Sequence, residues 1–249
     1  MLNLTDLASP ERTVARDRTL GATLAFVAGA TNAGGFLVVG QYTSHMTGVV
    51  STLADDVALG RFAVAGTAVL SIVAFIAGAM TTAVSVNWVR RRGATSLYAV
   101  PLVLEALLLL AFGAAANHLR PHLALFTPFT ILLLCFLMGL QNAVITKVSH
   151  AEIRTTHVTG LVTDIGIELG RLIYVNRSVD RPKVLADRVR LRVHLLLLTS
   201  FLVGGIIGAL GFKTIGPYAA IPLAGILLLI ASRPILHDLR RPSTMGRAS

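Results

Sequence analysis

Two short polar segments carry the residues best suited to chemistry. Thr43-Ser44-His45-Met46-Thr47-Gly48 recurs 112 residues later as Thr155-Thr156-His157-Val158-Thr159-Gly160, each copy following a long apolar stretch. A neutral imidazole at His45 or His157 can hydrogen-bond a substrate or relay a proton. The hydroxyls of Thr43 or Ser44, and of Thr155 or Thr156, suit helix N-caps, since they accept from free backbone N–H groups. A helix that starts there aims the positive end of its dipole at whatever lies above it. Thr47, Thr159, Gly48 and Gly160 have an ordinary packing role as the competing reading. For the threonines that role outweighs ligand contact. For the histidines the balance reverses, because a polar ring in an apolar setting is costly without partners. Upstream stand Asn32 and Asn142, whose amides could close helix–helix contacts or polarise a substrate.

Glu105 lies within "PLVLEALLLL", several residues from either end of an apolar run. An acid at that depth is expensive and is a functional candidate by default, as a proton-coupled carrier would need. The competing reading is a hydrogen bond to a neighbouring helix. The second half has no acid at the matching place near Ile226. Asp164 and Glu168 are one helical turn apart and downstream of His157, which raises metal binding. Glu168 with Arg171 is equally an i,i+3 surface pair, so no metal site, cofactor or catalytic residue is assigned. No glycine-rich phosphate loop, Gly-x-Ser-x-Gly elbow or His-Glu-x-x-His occurs in the chain.

The elements that must hold these residues follow from composition. The chain has 249 residues, 54% hydrophobic and 14% charged, with a mean hydropathy of +0.74. Soluble domains carry roughly 25% charged residues, so the solvent implied is lipid. Six runs, Leu20–Gly40, Phe62–Val86, Leu97–Ala116, Leu123–Ile145, Val193–Phe212 and Ile215–Ser232, approach the roughly 20 residues a span requires. The polar first 18 residues do not resemble a cleaved signal peptide. With the N-terminus inside and the spans alternating, 19 of the 22 Lys and Arg fall on the cytoplasmic side, leaving Arg61, Arg120 and Lys213 outside. That bias predicts an inner-membrane protein with both termini cytoplasmic, and it assigns the net charge of +10 to topology rather than to nucleic acid. Cys135 sits inside the fourth run and has no partner for an internal disulfide.

Landmarks recur in order across the halves. "GATNA" at Gly29 matches "GLQNA" at Gly139, "FIAGAMTTA" at Phe75 matches "FLVGGIIGA" at Phe201, and "YAVPLVLEALLLL" at Tyr98 matches "YAAIPLAGILLLI" at Tyr218. A three-span unit emerges inverted when repeated, so the expected fold is an all-α membrane protein of six helices in two inverted three-helix repeats. Residues 1–19 form a cytoplasmic segment, 20–116 and 117–232 the repeats, and 233–249 a cytoplasmic disordered tail. Each Thr-His segment becomes a short re-entrant or surface helix, because Asp55 and Asp56 would be hard to bury in a seventh span. Basic residues within 146–192 form the connection, with Asp180 and Pro182 suited to begin an interfacial helix on anionic headgroups; a solvated linker is the alternative.

"SHMTG" after the first span, "GLQNA" in the fourth, "RTTHVTG" after it and the third-span "LEALLLL" resemble the YoaK-type bacterial inner-membrane proteins, a domain-of-unknown-function family. The resemblance covers about residues 20–235 and departs from the family pattern at Asn32, where an aspartate is common. It implies no substrate. The residues favour a small-solute transporter or channel with a site between the repeats, lined by Asn32, His45, Thr47, Glu105, Asn142, His157 and Thr159. The alternatives are a membrane-embedded metal enzyme built on His157, Asp164 and Glu168, and a non-transporting scaffold or sensor. The expected partners are the bilayer and a solute; self-association is left open.

Overall fold

A computed structural model describes residues 14–94, 96–118, 123–148, 158–176 and 182–240. The described residues form eight α-helices: α1 (Val14–Val39), α2 (Met46–Ala58), α3 (Phe62–Arg91), α4 (Ala99–His118), α5 (Leu123–Val148), α6 (Val158–Ile173), α7 (Arg188–Ile215) and α8 (Ala220–Arg240). A 3-10 turn, Gly216–Ala219, joins the last two. Runs of Leu, Ala, Ile and Val make the long helices. Gly40, Gly60, Gly93 and Gly216 end α1, α2, α3 and α7 with φ between 63° and 72°, a left-handed conformation that costs glycine little.

Four helical stretches are long and apolar enough to cross a membrane: Ala15–Val39, Phe62–Arg91, Thr127–Lys147 and Arg188–Asp238. The last runs through both α7 and α8, and α4 contributes a shorter apolar stretch, Ala99–Ala114. By contrast α2 has 13 residues, a length of about 20 Å, too short to cross the hydrocarbon core.

Glycines set the main contacts. A Cβ on Gly29 would strike the Phe201 carbonyl oxygen, one on Gly204 the Phe26 carbonyl oxygen, and one on Gly208 the backbone of Ala30. In the same way, Gly78 meets the Phe136 carbonyl and Gly139 the Phe75 carbonyl. Small residues at such crossings let backbones approach within van der Waals contact. Contacts advance together from Phe26–Gly204 to Ala30–Gly208, so α1 and α7 run parallel. So do α3 and α5, where the Thr82 hydroxyl donates to the Leu140 carbonyl at 2.9 Å. Helices α1 and α5 are antiparallel: the Gln141 amide donates to the Leu24 carbonyl, while Gly35 lies against Leu134. Helices α4 and α8 are antiparallel too, with Gly113 beside Pro217 at one end and the Ser96 N–H donating to Asp238 Oδ2 at the other. The short helices complete the scheme, α2 packing on α3 and α6 on α7. Exchanging α1 with α5, α2 with α6, α3 with α7 and α4 with α8 leaves these pairings unchanged.

The core is built from residues such as Leu24, Leu102, Leu137 and Leu227. The outer faces are apolar as well: Val69, Val73, Ile76, Met80 and Val84 on α3, and Leu202, Val203, Ile206, Ile207 and Leu210 on α7, are exposed. Apolar surface on this scale suits lipid contact.

Two boundaries differ from the sequence reading. Helix α8 continues through Pro234 to Arg240, so residues 233–240 are helical; 241–249 lie outside the described residues. In the basic connection, residues 182–187 are not helical, and α7 starts at Arg188 with Asp187 as its cap. Asp187 Oδ1 accepts from the backbone N–H groups of Val189 at 3.0 Å and Arg190 at 2.9 Å. Asp180 lies outside the described residues.

Candidate functional site

The first Thr-His segment folds as a tight connection and then as α2. Its capping differs from expectation: His45 is the N-cap residue and makes no side-chain cap bond. Instead the Ser44 hydroxyl donates to Asn32 Oδ1 at 2.8 Å, and the Ser44 N–H reaches the same oxygen at 3.4 Å. Asn32 thus ties α1 to the entry of α2. The Thr43 hydroxyl is buried without a partner among the described residues. The His45 ring folds back over the first turn of α2, where a Cβ on Gly48 would collide with it. Gly48 is therefore what gives this imidazole its place.

Asp56, at the far end of α2, is 2% exposed. Arg61 makes this burial tolerable in a short helix that does not span. The guanidinium reaches Asp56 Oδ1 at 2.7 Å, while neighbouring Asp55 stays exposed. Arg61 is also the N-cap residue of α3, so the carboxylate lies at the positive end of that helix. Asp56 Oδ2 has no hydrogen-bond partner among the described residues.

Beside this carboxylate lies a cavity of about 470 Å³, walled by the end of α1 and by α2, α3 and α5. Its size falls within the usual range for small-ligand sites. Asp56, His45, Thr52, Thr67 and Ser71 supply most of its polar side chains, and Phe36 and Tyr42 stack with ring centroids 4.5 Å apart. The three hydroxyls already donate to their own helices: Thr52 to the Gly48 carbonyl at 2.9 Å, Thr67 to Val64 at 2.7 Å, Ser71 to Thr67 at 2.9 Å.

The second half places an ionic network between α6 and α7. Glu168 is 2% exposed; its Oε1 accepts from Arg171 and its Oε2 from the Asp187 backbone N–H, both at 2.7 Å. The i,i+3 pair with Arg171 exists, but it buries the acid rather than decorating a surface. Asp164 Oδ2 lies 3.3 Å from Arg190 and 3.8 Å from His194 Nε2. Glu168 thus braces the start of α7 and Asp164 ties α6 to its first turns.

Two registers of the sequence set these segments side by side. The register that pairs His45 with His157 pairs Asp56 with Glu168 and Thr52 with Asp164. The register that pairs Phe75 with Phe201 pairs Arg61 with Asp187, Val64 with Arg190 and Ala68 with His194. Thr52, Val64 and Ala68 all line the cavity. Space exists beside α2 because three small neutral side chains stand where the second half has Asp164, Arg190 and His194. Asp56 was overlooked as a site residue, although its repeat at Glu168 was readable at the histidine spacing.

Of the described residues expected to share a site, only His45 lines this cavity. Asn32 is its neighbour through Ser44. Thr47 and Thr159 are exposed on the first turns of α2 and α6. The Asn142 amide donates to the Met138 carbonyl of its own helix at 2.8 Å. Glu105 is fully buried in α4, away from the cavity lining, with neither carboxyl oxygen bonded among the described residues. His157, with Thr155 and Thr156, lies outside the described residues. Among the described residues no group of three or more His, Cys, Asp or Glu is placed to hold a metal ion.

The chain belongs to the family described as "Protein of unknown function (DUF1275)", whose model matches residues 20–232. No curated protein and no solved structure matches it.

Proposed function

We propose that this DUF1275 member is an inner-membrane transporter of a small solute, with six spans in two inverted halves. The observation that carries the reading is the cavity beside α2, because its walls come from both halves: α1, α2 and α3 from one and α5 from the other. A solute held where halves meet is the arrangement that lets them rock about it.

Several features support six spans. The 51-residue apolar stretch Arg188–Asp238 bends at the Gly216–Ala219 turn, which divides it into two crossings, and α4 adds one more. The parallel pairs α1/α7 and α3/α5 and the antiparallel pairs α1/α5 and α4/α8 agree with six alternating crossings. The matched glycine contacts, Gly29–Phe201 with Gly139–Phe75 and Gly204–Phe26 with Gly78–Phe136, are what a repeat packed about a two-fold would make. The likeness to YoaK-type proteins and the positive charge bias favour the inner membrane with both termini cytoplasmic. The cavity then opens toward the outer side, where α2 follows the first span. Asn32, His45 and Thr47 lie toward its entry, and Asn142 and Thr159 hold the matching positions of the other half. Glu105 is the coupling acid, a buried carboxyl awaiting a proton or a partner.

Uptake by purified protein in liposomes tests the reading, with solutes first chosen by a thermal-shift screen of metabolites. Transport is expected to depend on a proton gradient. Glu105→Gln should abolish gradient-driven uptake and spare solute exchange. A protein that binds a solute but moves none under either condition would be a sensor or scaffold, and the proposal would fail.

A further inference from the structure

The cavity beside α2 is lined by the donors of Gln41, Tyr42 and His45 as well as by acceptors, and Asp56 is the one carboxylate among its lining residues. Its three hydroxyls donate to backbone carbonyls, so each offers a ligand its oxygen lone pairs. Asp56 adds an oxygen that is buried and has no partner among the described residues. In the other half the matching carboxylate, Glu168, has both oxygens satisfied, one by an arginine and one by the Asp187 N–H. Among the described residues the Asp56 side chain is held by Arg61, at one oxygen. What is missing is a donor, and the small residues Thr52, Val64 and Ala68 leave room for a ligand to bring it.

Charge narrows the donor. Asp55, Asp56 and Arg61 together leave one negative charge at this end of α2. The stacked Phe36 and Tyr42 rings and the apolar wall of Val49, Leu70 and Ile131 suit a hydrocarbon body. We infer that this cavity is a binding site for a small primary amine, whose ammonium donates to Asp56 Oδ2 while its apolar body lies against the aromatic pair. An ammonium carries three donors and no acceptor, which suits a carboxylate oxygen with hydroxyl lone pairs beside it. A charge-assisted hydrogen bond in a desolvated site adds strength as well as direction.

The inference names a ligand class for the cavity proposed above as the transport site, yet binding can be read without transport. The probe is benzylamine, titrated by calorimetry into detergent-purified full-length protein near neutral pH, with benzyl alcohol and benzoate as matched controls. Benzylamine is expected to bind at one site, and each control at least about tenfold more weakly, the ratio that loss of one charged hydrogen bond produces. Asp56→Asn should weaken benzylamine to the level of benzyl alcohol. Because that change also disturbs Arg61, Ala68→Phe serves as a second variant: it fills the cavity, leaves the ion pair, and should abolish binding. Equal affinity for amine and alcohol, unaltered binding in Ala68→Phe, or no benzylamine binding to the folded wild type would each overturn the assignment. Benzylamine binding without uptake into liposomes would leave the site standing and remove the transport reading.

Discussion

Asp56 and Glu168 stand at one position of a repeated segment, and their surroundings give them different work. Glu168 is consumed by structure: Arg171 and the Asp187 N–H take both oxygens, which is what makes burial of that charge tolerable. Asp56 lines the cavity and keeps one oxygen without a partner among the described residues. Asp187 adds a pH dependence of its own. The backbone N–H of Arg190 does most to hold its carboxyl below the ordinary range; desolvation opposes it, and the Val189 N–H and the Arg190 and Arg171 charges add to the lowering. A depressed folded pKa means that the cap stabilises fully above the unfolded value, about 3.9, and is lost as pH falls through the folded one. Asp187→Ala should therefore lower the melting temperature in detergent at neutral pH. The deficit should shrink toward zero as the pH is taken below 4, and a deficit that persists unchanged there would contradict the capping role.

Among the helices, the crossings decide stability. At Gly29, Gly78, Gly139 and Gly204 any side chain would meet a carbonyl oxygen of the facing helix, and backbone cannot yield as a flexible side chain can. Gly204→Val should force α1 and α7 apart and cost at least about 1–3 kcal/mol, the usual range for overpacking. Gly66 lies in the same type of helix with open space around it, so Gly66→Ala should be neutral or stabilising. Unfolding of both variants in one detergent gives the comparison; equal effects would mean that the close approach is not what holds the helices. The short helices depend on their neighbours instead, α2 through Asp56–Arg61 and α6 through Glu168 and Asp164.

For the molecule as a whole, the proposed topology separates residues that are equally exposed. In that topology Leu59, at the end of α2, would face the outer side, and Arg91, at the end of α3, and Val175, after α6, would face the cytoplasm. In a Cys135→Ser background, a membrane-impermeant maleimide should label Leu59→Cys in intact cells. Arg91→Cys and Val175→Cys should label only after the membrane is opened. Labelling of Arg91→Cys in intact cells, or of Leu59→Cys and Val175→Cys from the same side, would rule out two inverted halves.

Composition and spacing were enough to read an all-helical chain with long apolar, membrane-type helices and the two short helices after the Thr-His segments. These are local or periodic properties, written in runs of 20 residues and in repeats at constant offset. Glu105 was legible as a buried acid for the same reason, since nothing polar surrounds it in sequence. What the helices do to one another was not legible. Whether Asp56 is exposed or buried depends on where Arg61 folds back, and whether α2 faces a void depends on side chains more than ten residues away on α3 and on α5. The caps expected at Thr43 and Ser44 went elsewhere because Asn32, twelve residues upstream, offered Ser44 an acceptor. A cavity is a property of what fails to fill a space, and only the packing of α1, α2, α3 and α5 together determines that.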